Sequence, residues 1–124
     1  MSATNAHVRL LANAAKAILS PIGCTRIGRS RTWIADQRFW VIVIEFQPSS
    51  YSKGSHLNVG AHWLWHAQDS WSFDYGHRVV DFIFFRNEEQ FAVAAEKLAT
   101  RAVEEVHNLQ RKFSSLSDIA REVA

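Results

Sequence analysis

The run Arg38-Phe39-Trp40-Val41-Ile42-Val43-Ile44-Glu45-Phe46 constrains the fold of this chain more than any other stretch. It is almost continuously apolar, rich in β-branched and aromatic residues, and closed by Pro48, so it reads as a central strand. Side chains alternate along a strand. Trp40, Ile42, Ile44 and Phe46 therefore point one way, and Phe39, Val41, Val43 and Glu45 the other. A strand that is apolar on both faces needs two covers. Helices supply one; the second face calls for a loop, a partner subunit or a ligand.

The flanking segments supply candidates for the first cover. Ser2 or Thr4 can cap a helix from about Asn5 to Leu19, with Val8, Leu11, Ala15 and Ile18 forming one apolar stripe and Pro21 and Gly23 ending it. Thr32, Trp33 and Ile34 favour a strand over about Arg31–Ala35, and Asp36-Gln37 turns it into the central strand as a hairpin. Gln47–Ser55 is a polar loop. His56–Trp65 alternates cleanly: Leu57, Val59, Ala61, Trp63 and Trp65 share one face, while His56, Asn58, Gly60, His62 and Leu64 share the other. After a turn at Ala67–Ser70, Trp71–Tyr75 suggests a short strand before Gly76, and Arg78–Phe85 a further strand.

Asn87 can cap the next helix, with Gln90 reciprocating three residues on and Glu88 and Glu89 facing the positive end of its dipole. Phe91, Ala95, Leu98, Ala102, Val106, Leu109 and Phe113 then recur in steps of four and three. Such a helix spans about 39 Å, longer than a typical strand of ~17–20 Å, so its end is expected to overhang the sheet or bend. One of Ser114, Ser115 or Ser117 can cap a short final helix carrying Leu116, Ile119, Ala120 and Val123. The whole reads as a single α+β domain over residues 1–124. Its antiparallel sheet has four or five strands, with an N-terminal helix and C-terminal helices packed mainly on one face.

A hydrophobic content of 48% against 21% charged residues fits a folded core and excludes a disordered chain. Cys24 is the only cysteine, so no intrachain disulfide can form, and it reads as a small buried hydrophobe in a reducing compartment. Asn13 and Lys16 interrupt the apolar run Leu10–Leu19, which argues against a secretion signal. The longest unbroken apolar run, Phe39–Ile44, falls far short of the ~20 residues of a membrane span. The expectation is a cytoplasmic protein with no membrane partner and no cofactor.

The net charge of +2 hides an asymmetry: residues 1–40 hold six Lys or Arg against one Asp. Arg26, Arg29, Arg31 and Arg38 carry most of that excess, around the entry to the sheet. With Trp33 beside them they are candidate binding residues for phosphate or an acidic partner. The competing reading is a solvated sheet rim. Trp33, Trp40, Trp63, Trp65 and Trp71 all fall in or beside strands. They fill a core or anchor an interface, or with the arginines offer a stacking platform for nucleic acid or a nucleotide.

His62 and His66 would share a zinc on a helix, but on a strand they stand about 13 Å apart, beyond one ion with ~2.1 Å bonds. No metal site is therefore expected unless the strand breaks near Leu64 and Asp69 or Asp74 folds back. Glu45 and Gln47 can face Asn58 or His62 across two strands, which would place a carboxylate beside an imidazole, the minimal acid–base unit. Glu45, Asn58 and His62 are thus the candidate catalytic residues, against a purely structural polar network. Lys53-Gly54-Ser55 lacks the first glycine and the strand-to-helix setting of a phosphate loop. Three functional readings follow. The favoured one is a non-enzymatic protein-binding or self-associating module; the others are a nucleic-acid or nucleotide binder and a small enzyme.

Four short stretches carry a family likeness: Pro21-Ile22-Gly23, Gly28-Arg29-Ser30-Arg31-Thr32-Trp33, Phe46-Gln47-Pro48-Ser49-Ser50 and Leu57-Asn58-Val59-Gly60. Together they resemble the mostly bacterial family known as domain of unknown function 4304, over roughly residues 10–90. Cys24 stands where that family usually has an aromatic residue. The resemblance implies a small α+β domain and adjoining strands at Phe46-Gln47 and Asn58–Gly60. It implies no activity, cofactor or catalytic residue.

Overall fold

The structure, a computed structural model, describes residues 6–38, 40–49, 52–63 and 75–114. Helix α1 (Ala6–Leu19) leads through a 3-10 turn at Ser20–Ile22 into β1 (Thr25–Arg26), β2 (Thr32–Asp36), β3 (Trp40–Gln47), β4 (Gly54–Trp63) and β5 (Tyr75–Phe84); α2 (Glu88–Lys112) follows. All strands pair antiparallel with their sequence neighbours, in the order β1-β2-β3-β4-β5. This is the expected α+β architecture with five strands. The two-residue β1 is too short to carry a sequence signal of its own. The expected Ser2 or Thr4 cap, the Ala67–Ser70 turn, most of the Trp71–Tyr75 strand and the final helix lie outside the described residues.

The alternation read from the central run holds. Trp40, Ile42, Ile44 and Phe46 form one core with Trp33 and Ala35 of β2 and Leu57, Val59 and Ala61 of β4. The helices close over it with Leu11, Ala15 and Leu19 of α1 and the stripe from Phe91 to Leu109 of α2. The buried line on α1 is Ala6, Leu11, Ala15 and Leu19 rather than the stripe expected from Val8 and Ile18; Val8 is 38% exposed. On the opposite face, Val41 and Val43 of β3 are buried at 4% and 3% exposure. That face of the central strand is closed within the single chain.

Asn87 caps α2 by accepting from the Gln90 amide at 2.8 Å. Gln90 reaches one residue further back than a capping box requires: its Oε1 accepts from the Arg86 amide at 2.9 Å and its Nε2 donates to the Phe84 carbonyl at 3.0 Å. The last strand is thereby fastened to the start of the helix. The overhang of α2 is only a few Å. Phe91 packs at Phe85 beyond the end of β5, while Phe113 meets Trp40 at the start of β3 with ring centroids 5.5 Å apart. β4 and β5 are ten residues long, about 33 Å at ~3.3 Å per residue, so the sheet underlies most of the ~38 Å helix.

β5 departs most from a sequence reading. It runs straight through Gly76, where a break was expected, and its register against β4 slips twice, between Ser55 and Leu57 and between Leu57 and Asn58. Each slip is a bulge on β5 that sets two of its residues against one on β4. Val79 and Val80 consequently both pack against the core, while Phe82 turns to the outer face beside His56. Among the described residues no helix is long and apolar enough to cross a membrane.

Candidate functional site

Two surfaces gather the polar chemistry of the described residues. The first lies on the outer face of the sheet, away from the helices, where Thr32, Glu45, Asn58 and Arg78 stand side by side on four strands. The Asn58 amide donates to Gln47 Oε1 at 2.6 Å and Glu45 Oε1 at 3.2 Å. Arg78 donates from Nε to Asn58 Oδ1 at 3.2 Å and from Nη2 to Gln47 Oε1 at 2.7 Å. Its Nη1 lies 3.4 Å from His56 Nε2. Arginine has no acceptor, so this ring nitrogen accepts. With Nε2 accepting, the ring proton falls to Nδ1, an atom that is buried and has no hydrogen-bond partner.

Loss of hydration first, and the Arg78 cation second, hold the His56 pKa below its ordinary value of 6.5; Asp81 opposes them. In the unfolded chain His56 gains a proton near pH 6.5, whereas in the folded chain it does so only at lower pH. Its contribution is complete above that value and is lost as pH falls through the window beneath it. The dependence of the urea midpoint on pH between about 7.5 and about 5.5 is expected to be shallower in His56→Gln than in the wild type.

Glu45 and Asn58 meet as the sequence suggested. His62 does not join them: it pairs with Val41, four residues along β4 from Asn58, or about 13 Å on a strand. The expected carboxylate–imidazole pair is not assembled: the register sets Glu45 opposite Asn58, and although His62 shares their face it stands four residues further along. The nearest imidazole to the network, His56, engages Arg78 rather than Glu45. Arg78 itself escaped the sequence reading, since its position opposite Asn58 depends on the bulges in β5. Among the described residues no three of His, Cys, Asp and Glu are placed to hold a metal ion. His66, Asp69 and Asp74 lie outside them.

The second surface concerns the arginines, which do not form one cluster. Arg31 and Arg38 flank opposite ends of β2. Arg31 is half-buried and donates to the carbonyls of Phe46 at 2.6 Å and Gly54 at 3.0 Å, tying together the end of β3 and the start of β4. Burial lowers its pKa and Glu45 raises it. Arg31 is therefore a structural fastening. Arg31→Met keeps the apolar stem and leaves two carbonyls without their donors. It is expected to cost about 1–3 kcal/mol, read as a lowered urea midpoint, with Arg31→Lys recovering part.

Arg38 is exposed in the turn at φ +82°, with its amide on Asp36 Oδ1. Trp33 is 4% exposed in the core and Trp40 2%, so neither offers a ring face for stacking. Trp65, Trp71 and the side chain of Trp63 lie outside the described residues. Arg29 is exposed on the turn between β1 and β2. Arg26 is held over that turn, Nε to the Ser30 carbonyl at 2.7 Å and Nη2 to the Arg29 carbonyl at 3.0 Å.

Arg26 and Trp33 do come together, on an open depression of about 580 Å³ between α1 and β1, with Asn13, Lys16, Ser20 and Thr25. Among the described residues no carboxylate lines it. Cys24 closes part of its wall as a buried thiol whose pKa is pushed up to about 11 by burial. That suits a packing role rather than a nucleophile. No protein-family model, curated protein or solved structure matches the chain.

Proposed function

We propose that this domain is a non-enzymatic protein-binding module whose docking surface is the β5 side of the outer sheet face. The observation that carries the reading is Phe84, 53% exposed. It stands edge-to-face with Phe82 at 4.9 Å, and Phe82 in turn lies against His56 at 5.0 Å. Exposed aromatics beside an arginine are the side chains that dominate binding energy at protein interfaces. Arg78 is fixed by neutral partners and spends three of its five N–H groups on them, which leaves donors for a carboxylate. The partner this favours presents an apolar side chain next to an acidic one.

The sequence offered two strands that are apolar on both faces, Phe39–Phe46 and Arg78–Phe85; Val41 and Val43 are buried, so the contact zone narrows to β5. The two bulges there disfavour strand-to-strand pairing with a second copy, because an irregular edge cannot continue a regular ladder. The partner is therefore set on the face rather than along the edge. A cytoplasmic setting and kinship with the domain of unknown function 4304 family belong to the same proposal, and neither adds an activity.

The test is a comparison of wild-type and Phe84→Ser baits in lysate with and without nuclease treatment, with quantitative mass spectrometry. A protein retained by the wild type and depleted at least about tenfold by the substitution supports the reading. Identical retention by both baits overturns it. Retention that disappears with nuclease would instead favour the nucleic-acid reading.

A further inference from the structure

Independently of the outer face, we infer that the depression between α1 and β1 binds a small phosphate monoester, with Lys16 and Arg26 as its anchors. The depression has about the volume of small-molecule sites, which run ~300–1,000 Å³, and its polar lining is one-sided. Lys16 and Arg26 bring two positive charges, and Asn13, Ser20 and Thr25 bring neutral donors. Among the described residues Lys16 has no acidic partner, and the partners of Arg26 are backbone carbonyls. Those carbonyls spend two of the five N–H groups of Arg26 and hold its guanidinium in place, so a ligand meets a cation already oriented.

The last turn of α1 borders this surface, and a helix C-terminus repels anions. Here that effect is blunted. The Leu19 and Ser20 carbonyls accept from the Cys24 and Gly23 amides, both at 3.1 Å, and Lys16 lies in the same turn. A phosphate monoester carries about −1.5 to −2 charges near neutral pH, which matches two cations better than a single carboxylate does. Ala12 supplies an apolar contact for the body of the ligand, with the buried Trp33 behind it.

The test titrates the isotopically labelled full chain with phenyl phosphate and, separately, benzoate, following backbone amide shifts. Phenyl phosphate is expected to give saturable shifts at Asn13, Ser20 and Thr25, with benzoate at least about tenfold weaker. Lys16→Gln, an exposed position that leaves packing intact, is expected to weaken phenyl phosphate about tenfold or more. Arg26→Lys, which keeps the charge but loses the planar fork, should weaken it less than Lys16→Gln combined with Arg26→Lys. Absence of saturable shifts at ~10 mM, or affinity unchanged in Lys16→Gln, overturns the inference. Phe84→Ser serves as a control: phenyl phosphate binding is expected to persist in it, so this site and the protein-docking surface stand or fall separately.

Discussion

Replacing Gly54 by alanine is expected to lower stability by about 3–5 kcal/mol, the sum of backbone strain and steric overlap. Gly54 sits at φ +143°, a conformation open to glycine and rarely taken by other residues. A Cβ built there would lie 2.0 Å from the Ile83 carbonyl oxygen and 2.9 Å from the Phe82 ring. Retreat is blocked from two directions. Arg31 holds the Gly54 carbonyl at 3.0 Å, and the Phe85 amide holds the Lys53 carbonyl at 2.9 Å. The urea midpoint of Gly54→Ala measures the effect. A loss below about 1 kcal/mol would mean that β5 can move away from β4 at little cost, contrary to this account. The same substitution displaces Phe82 and Phe84, so partner binding should decline with stability.

Phe91→Ala is the second large effect, expected at about 3–5 kcal/mol, or roughly 10–20 °C in Tm for a domain of this size. Phe91 is fully buried one turn into α2, with its ring 5.6 Å from Phe85 and 6.4 Å from the His7 imidazole. It joins both helices to the end of β5. Alanine leaves a cavity among groups that arrive from three elements and cannot all close in together. Phe91→Leu should cost about 1.5 kcal/mol or less. Calorimetry on the two variants separates cavity from contact: equal losses would show that volume is not what the site demands.

Much of the fold was legible because its strongest signals are local. The alternation in Trp40–Phe46 and the stripe from Phe91 to Leu109 reappear as buried faces, and Asn87 caps where its residue type allows it. The sequence set Glu45 on the same face as Asn58 and His62 but left the register between the two strands open, and the structure selects Asn58. What escaped is what one strand does to another. The slips in β5 alter the inward and outward parity of Val79 through Phe82, and nothing in that stretch announces them. Charge counting also misled. It grouped four arginines as one patch, whereas the folded chain sets Arg31 and Arg38 at opposite ends of β2 and spends the half-buried Arg31 on the carbonyls of Phe46 and Gly54. The cationic depression depends on the path of the chain through Pro21 and Gly23, which sets Lys16 of α1 next to Arg26 of β1. No spacing rule links those two residues.

The order of the sheet has a kinetic consequence. Every strand pairs with its sequence neighbour, so the sheet can grow hairpin by hairpin with short loops to close. The helices are different: Arg9 of α1 reaches Glu88 of α2 at 2.9 Å across 79 positions. Closing a loop of that length costs about 1–2 kcal/mol more chain entropy than closing a hairpin of ten or so residues. Among the described residues it is the two helices that cover the apolar core face of the sheet, and the contacts between those helices close the longest loop. Until the two helices meet, the nascent domain presents that face to its surroundings. The interval before the clasp closes is when this chain is most open to aggregation or to a chaperone.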